Sequence, residues 1–194
     1  MYTPLPRSNQ QALLDSVSDM ILFAGYRATG RSVGAMLYAQ QLCENKPESI
    51  VYVFTIQQKP KILQYTKQQL GDDWRFVGYR RAFGHKNGSF IKFRPVHRGQ
   101  RAVLETYMCH SMDLMVFDDA DQLENPVDVL LFRHANGRAR GKSPQMLVTS
   151  VPNILEWYFT ARYIDPNCER SKQVMASMTN KNWYELSKQG EQHA

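Results

Sequence analysis

Met20-Ile21-Leu22-Phe23-Ala24-Gly25-Tyr26-Arg27-Ala28-Thr29-Gly30-Arg31-Ser32 is the stretch on which the fold turns. Five apolar residues running into a glycine predict a short buried strand. From Arg31 to Leu42 a helix is expected, with Val33, Met36, Leu37 and Leu42 near one face. A glycine-bearing turn between strand and helix is the setting of a phosphate-binding loop. The glycines let the backbone curl so that its N–H groups meet phosphate oxygens, and the helix N-terminus adds partial positive charge. Candidate nucleotide-binding residues are therefore Gly25, Arg27, Ala28, Thr29, Gly30, Arg31 and Ser32, with the Ser32 hydroxyl a ligand for Mg²⁺. The pattern G-x-x-x-x-G-K-[ST] has Arg31 in place of its lysine. Arginine keeps the charge but carries it on a planar fork. A strand–helix turn with chance basic residues would look the same in isolation, so the assignment needs a second feature.

That feature is Leu114-Met115-Val116-Phe117-Asp118-Asp119, an apolar strand that ends in two carboxylates. An ATPase of this kind needs one carboxylate to organise Mg²⁺ and another to orient the attacking water. Asp118 and Asp119 fit those roles, although Asp119 is one methylene shorter than the usual glutamate. The competing reading is an acidic loop, since Asp121 lies close by. Gln10 and Gln11 are weaker candidates, because a glutamine amide can pair with an adenine edge but is usually just solvated.

Further strands are expected at Ile50–Phe54 and Met146–Thr149, a hairpin over Arg75–Phe93 turning at Asn87-Gly88, and helices after Pro60, at Val127–Phe132 and at Ile154–Ile164. Alternating strands and helices argue for an α/β fold with a mostly parallel central sheet. The chain has 194 residues and a net charge of +6, which favours an anionic partner. Its three cysteines, Cys43, Cys109 and Cys168, are too few and too scattered for a disulfide framework. They suit reduced thiols in a cytoplasmic protein. No run of apolar residues is long enough to span a membrane.

Together these residues resemble the ATPase domain of phage large terminase subunits. The likeness runs from about Pro6 to Pro166 and takes in the glutamine-bearing start, the phosphate loop, and Asn87-Gly88-Ser89-Phe90-Ile91-Lys92-Phe93. It continues through Tyr107 to Ala120 and closes with Thr149-Ser150-Val151-Pro152-Asn153, Trp157 and Arg162-Tyr163-Ile164-Asp165-Pro166. The resemblance implies a P-loop NTPase three-layer sandwich over residues 1–165, with 166–194 a linker or tail and no nuclease domain. It implies ATP and Mg²⁺ as cofactors, Ser32 and Asp118 at the metal, and Asp119 acting on the water with Arg31 and Arg27 in catalysis. Thr149 and Ser150 would sense the γ-phosphate, and Gln10 or Gln11 would meet adenine. It implies translocation of double-stranded DNA into a procapsid by a homo-oligomeric ring in the host cytoplasm, transiently at the portal vertex. Partners would be the portal protein, the small terminase subunit and a separate nuclease subunit. Arg27, Arg98, Arg101 and Arg133 are candidates for the arginine finger. Arg31 and Asp119 leave two readings: a slow ATPase, or a hydrolysis-impaired subunit that binds nucleotide and DNA in a structural role. A helicase-like repair ATPase is a weaker third.

From Trp74 to Val103 the chain carries eight basic residues and no acid. Phe76, Tyr79, Phe83, Phe90 and Phe93 interleave and are expected in the core, with the basic residues facing water. Arg94, Arg98 and Arg101 are candidate DNA contacts, as are Arg138 and Arg140 from a second basic set that also holds Arg133 and Lys142 and reads as a glycine-containing loop.

Overall fold

A computed structural model describes residues 8–24, 30–55, 63, 66–67, 70–96, 101–123, 127–150, 173–176 and 183–185. In chain order these form α1 (Ser8–Leu14), β1 (Met20–Ala24), α2 (Arg31–Asn45), β2 (Ile50–Thr55), β3 (Trp74–Val77), β4 (Ala82–His85) and β5 (Phe90–Pro95). There follow α3 (Arg101–Tyr107), β6 (Leu114–Asp118), α4 (Val127–Arg140), β7 (Gln145–Ser150), β8 (Gln173–Ala176) and β9 (Trp183–Glu185).

The described strands make a nine-stranded sheet in the order β3-β4-β5-β2-β6-β7-β1-β8-β9. The centre, from β5 through β2, β6, β7 and β1 to β8, is parallel, and β4 and β9 join antiparallel to their neighbours. Side chains alternate along each central strand, so both faces bury apolar residues. Ile21, Phe23, Val51, Val53, Leu114, Val116 and Leu147 pack under α1 and α2. Leu22, Tyr52, Phe54, Met115, Phe117, Met146 and Val148 pack on the other face with Leu104 of α3 and with Val129 and Phe132 of α4. The result is three layers, the α/β sandwich expected from the sequence.

Helix α2 lies on the sheet through small residues. Gly34, Ala35, Ala39 and Cys43 are buried with Met36 and Tyr38, while Val33, Leu37 and Leu42 are only partly covered. Of the expected stripe Met36 is buried as expected, while small residues take the places closest to the sheet because close approach selects small side chains. A Cβ on Gly34 would stand 2.7 Å from Phe23 Cε1. The far end of α2 is latched by the Asn87-Gly88-Ser89 turn. Asn87 Nδ2 donates to the Cys43 carbonyl at 2.8 Å and Ser89 Oγ to the Lys46 carbonyl at 2.9 Å, satisfying helix-end acceptors.

Four further expectations change. The hairpin is a three-stranded antiparallel meander, β3-β4-β5, with a 3-10 turn at Gly78–Arg80. Phe83 and Phe93 are buried, but Phe76 and Tyr79 are 37% and 83% exposed. Arg133, Arg138 and Arg140 lie in helix α4 and not in a loop. Gly137 suggested a break, yet it lies within the helix, and Ser143 folds so close that a Cβ there would stand 2.2 Å from its Oγ. The stretch after Pro166 adds β8 beside β1 and β9 at the sheet's edge. Of the helix expected after Pro60, Leu63, Thr66 and Lys67 are helical, and the helix expected at Ile154–Ile164 lies outside the described residues. Cys43 is buried and Cys109 exposed as free thiols, while Cys168 is outside the described residues. No described helix is long and apolar enough to cross a membrane.

Gly34→Ala should cost about 1–3 kcal/mol, since Phe23 is fully buried and has little space to yield. Urea unfolding measures this; an unchanged midpoint would show that α2 does not sit as close as described.

Candidate functional site

The site forms where the parallel strands end, the usual place for ligands in open α/β sheets. Strand β1 leads into Gly25–Thr29, which lie outside the described residues. The chain resumes at Gly30, whose φ of 84° and ψ of 20° are left-handed, a conformation glycine adopts freely. The Gly30 carbonyl accepts the Gly34 N–H at 2.8 Å and Gln10 Nε2 at 3.1 Å. Gln10 is buried, so it ties α1 to the start of α2. Gln11 is exposed and bonded to Asp15 Oδ1 at 2.9 Å.

Strand β7 is inserted between β1 and β6, and this insertion organises the carboxylates. Thr149 Oγ1 donates to Asp118 Oδ1 at 2.8 Å and accepts the Asp119 N–H at 2.8 Å. One fully buried hydroxyl therefore holds two successive acids. Asp119 sits at φ 55°, ψ 48°, left-handed for a residue with a Cβ. This residue leads into a 3-10 turn, Ala120–Gln122. Ser150 is buried at the end of β7, in register with Ala24.

Ser32 and Asp118 meet, as the sequence reading required: their side chains share a hydrogen bond. Burial pushes the Asp118 carboxyl up to about 6, and the neighbouring Asp119 charge adds to the rise. Hydrogen bonds from Ser32 and Thr149 and the Arg31 charge oppose it. A hydroxyl beside a carboxylate, both hard oxygen donors, suits Mg²⁺, which binds through one or two carboxylates and completes its shell with water and phosphate.

Arg31 was expected on phosphate and Asp119 on water. In the structure they are paired, with Arg31 Nη2 3.0 Å from Asp119 Oδ1. Arg31 Nη1 stands 3.8 Å from Asp121 Oδ1, too far to bond, and among the described residues this buried nitrogen has no hydrogen-bond partner. The whole residue is 8% exposed. A buried guanidinium with an unsatisfied N–H, at the foot of a glycine turn, is a ready donor to a phosphate oxygen. Asp121 is the residue that sequence reasoning left out. Its place in the acidic cluster was visible, but the 3-10 turn that returns it to Arg31 was not.

Other candidates fall elsewhere. Arg27 and Arg98 lie outside the described residues, as do the side chains of Arg101 and Arg140. Arg138 is exposed on α4. Arg94 is half-buried, its guanidinium 5.6 Å from the Tyr52 ring centre and 5.8 Å from that of Tyr107. Arg133 donates through Nε to the Pro144 carbonyl at 2.9 Å, just before β7 begins. That is the opposite end of β7 from Thr149, about 17 Å away, so Arg133 of the same chain does not reach the site.

No protein-family model and no curated protein matches the sequence. Solved structures match in shape. The large terminase ATPase domain of Thermus phage P74-26 has a TM-score of 0.61 at 15% identity, over 80% of this chain and 68% of that one. The N-terminal domain of the DNA packaging ATPase from bacteriophage phi29 has a TM-score of 0.53 at 18% identity, over 78% of this chain and 82% of that one. A large terminase from a thermophilic bacteriophage, solved in complex with ADP, has a TM-score of 0.54 at 15% identity, over 87% of this chain and 44% of that one. The chain thus shares its α/β fold with these phage terminase and packaging ATPase domains.

Because the folded Asp118 carboxyl is raised above its ordinary value near 4, its contribution to stability is full below about pH 4 and lost as pH rises to about 6. Asp118→Asn should therefore stabilise the ligand-free protein by about 2–3 kcal/mol at pH 7.5, with the gain vanishing near pH 4. Chemical denaturation in EDTA at both pH values measures it. A variant less stable than wild type at pH 7.5 contradicts the burial and charge described for Asp118.

Proposed function

We propose that the chain is the ATPase motor of a phage DNA-packaging machine, binding ATP and Mg²⁺ between the Gly25–Ser32 turn and Asp118–Asp119. The observation that carries this reading is the buried, unsatisfied Nη1 of Arg31 beside an acid pair at the C-terminal end of a parallel sheet. A terminase of the same fold solved with ADP and a packaging ATPase from phi29 support the nucleotide and the task.

Each residue then has a role. Gln10 and Gly30 brace the end of the phosphate loop. Ser32 and Asp118 would hold Mg²⁺, which neutralises charge on the phosphates when bound. Phosphate oxygens outcompete the Asp119 carboxylate for the Arg31 fork, and Asp119 becomes available to orient water. Thr149 feels that change through both of its hydrogen bonds and is placed to pass it along β7. The work done is translocation of double-stranded DNA into a procapsid. Its expected setting is a homo-oligomeric ring at the portal vertex in the host cytoplasm, with the portal protein and a small terminase subunit as partners.

The Arg31–Asp119 pair also favours a second reading, in which the water-orienting acid stays occupied and the subunit binds nucleotide and DNA without efficient turnover. Steady-state hydrolysis with and without DNA separates the two. A motor turns ATP over and speeds up on DNA. The impaired subunit gains turnover sharply when Arg31→Lys and Asp119→Glu are combined.

Both readings predict that Arg31→Ala weakens ATP binding about tenfold or more, as expected for loss of a charge-assisted contact. Asp119→Asn should keep binding or tighten it while lowering any turnover at least a hundredfold. Titration with a fluorescent ATP analogue gives the affinities. Equal affinity for Arg31→Ala and wild type would remove Arg31 from the nucleotide site.

A further inference from the structure

The rim that carries the nucleotide site continues onto β5, β4 and β3 as a surface of another character. Strand β3 runs in the same direction as β5, being antiparallel to β4. The 3-10 turn Gly78–Arg80 after β3 therefore lies on the same rim as the C-terminal ends of β2 and β6. Lys92 and Arg94 are in register with Tyr52 and Phe54 of β2, so they share the face covered by α3 and α4 and not the face under α2.

Three cations gather there. Arg94 Nη1 donates to the Arg80 carbonyl at 3.0 Å, and its guanidinium shares the Tyr52 ring with Lys92, whose Nζ is 5.3 Å from the ring centre. Arg80 is exposed and stacks at 5.1 Å on Tyr79, which is itself 83% exposed. Among the described residues no carboxylate pairs with Arg80, Lys92 or Arg94; the ion pairs of this structure lie elsewhere. The strain of the arrangement is felt by Lys92, whose ammonium is lowered by burial first and then by the charges of Arg94 and Arg80. Aromatic rings attract the three cations but leave their net charge in place. Holding like charges together without a counter-charge is unfavourable unless an anion visits. A single small anion would leave Tyr79 unused, whereas a nucleic acid offers spaced phosphates together with sugar and base surface.

We propose that Arg80, Lys92 and Arg94, with the exposed ring of Tyr79, form a phosphodiester-binding surface through which the chain grips DNA. The proposal deepens the DNA-acting reading given above and rests on it. It also explains the location: Arg94 neighbours Phe54, and Phe54 neighbours Phe117, the residue before Asp118. Two strand spacings, about 10 Å, separate the DNA contact from the hydrolytic acids. Movement of β6 or β2 on nucleotide exchange would therefore reach the DNA directly.

The test uses the full chain and fluorescence anisotropy on a labelled duplex across a salt series. Arg80→Glu with Lys92→Glu should weaken binding at least tenfold and lower the salt slope by about 1–2, the release expected for one or two lost phosphate contacts. The milder Arg80→Gln with Lys92→Gln, checked by thermal melting, should lose affinity in the same direction if the double charge reversal fails to fold. Tyr79→Ala should weaken a single-stranded probe more than a duplex. Undiminished affinity and slope in the glutamine variant would overturn the proposal, as would a loss produced instead by Arg138→Glu on α4. A wild-type chain that binds ATP but no DNA at low salt overturns it too, and leaves the nucleotide site standing. A chain that binds DNA through this surface but no ATP would sink the ATPase reading alone.

Discussion

A guanidinium withdrawn from water beside three carboxylates governs this molecule. Taking such a charge out of water costs several kcal/mol, offset only where partners are well placed. Here the partners are placed by backbone choices made elsewhere. The left-handed turn at Asp119 swings its carboxylate onto Arg31, and the 3-10 turn that follows returns Asp121 to the other side of the fork. The guanidinium bonds Asp119 through Nη2 and only faces Asp121 with Nη1, at 3.8 Å. The remaining unbonded nitrogen leaves the site incomplete, and an incomplete buried donor is a demand for an anion.

The strand order makes that site possible. With β7 between the strand that ends in the glycine turn and the strand that ends in acids, a single threonine hydroxyl reaches both Asp118 and Asp119. With Gly34 in α2, the helix packs against Phe23 of β1 and leaves room beside it for the Gln10 side chain of α1, which reaches the Gly30 carbonyl. With Asn87 and Ser89 gripping its far end, α2 is held at both termini. Sequence features that look separate, an N-terminal glutamine, a glycine turn, an Asn-Gly-Ser segment and an acid pair, are thus fastened to one helix or to the strands beneath it.

Much of this was legible beforehand. The central strands announce themselves as short apolar runs, and the meeting of Ser32 with Asp118 follows from where a helix start after β1 and an acid-tipped strand lie in a parallel sheet. What periodicity could not show was distance. It picked out Val33, Met36, Leu37 and Leu42 as one face of α2, but of these only Met36 is fully buried, and the close-packed helix buries Gly34, Ala35 and Ala39 beside it. Composition made Gly137 and its basic neighbours into a loop, because the fold-back of Ser143 that favours glycine there is a tertiary contact. β8 and β9 are only four and three residues long, too short to show a pattern. Arg31 and Asp119 were expected near each other and the structure brings them into contact, but their direct pairing follows a positive φ at Asp119 that no local sequence rule specifies.

The central claim is that the Arg31 fork exchanges a carboxylate for a phosphate. A crystal structure of the chain with Mg²⁺ and a non-hydrolysable ATP analogue tests it most directly. The account predicts Arg31 Nη1 within hydrogen-bond reach of a phosphate oxygen and Asp119 Oδ1 parted from Nη2. An analogue seated away from the Gly25–Ser32 turn, with the Arg31–Asp119 contact intact, would contradict it.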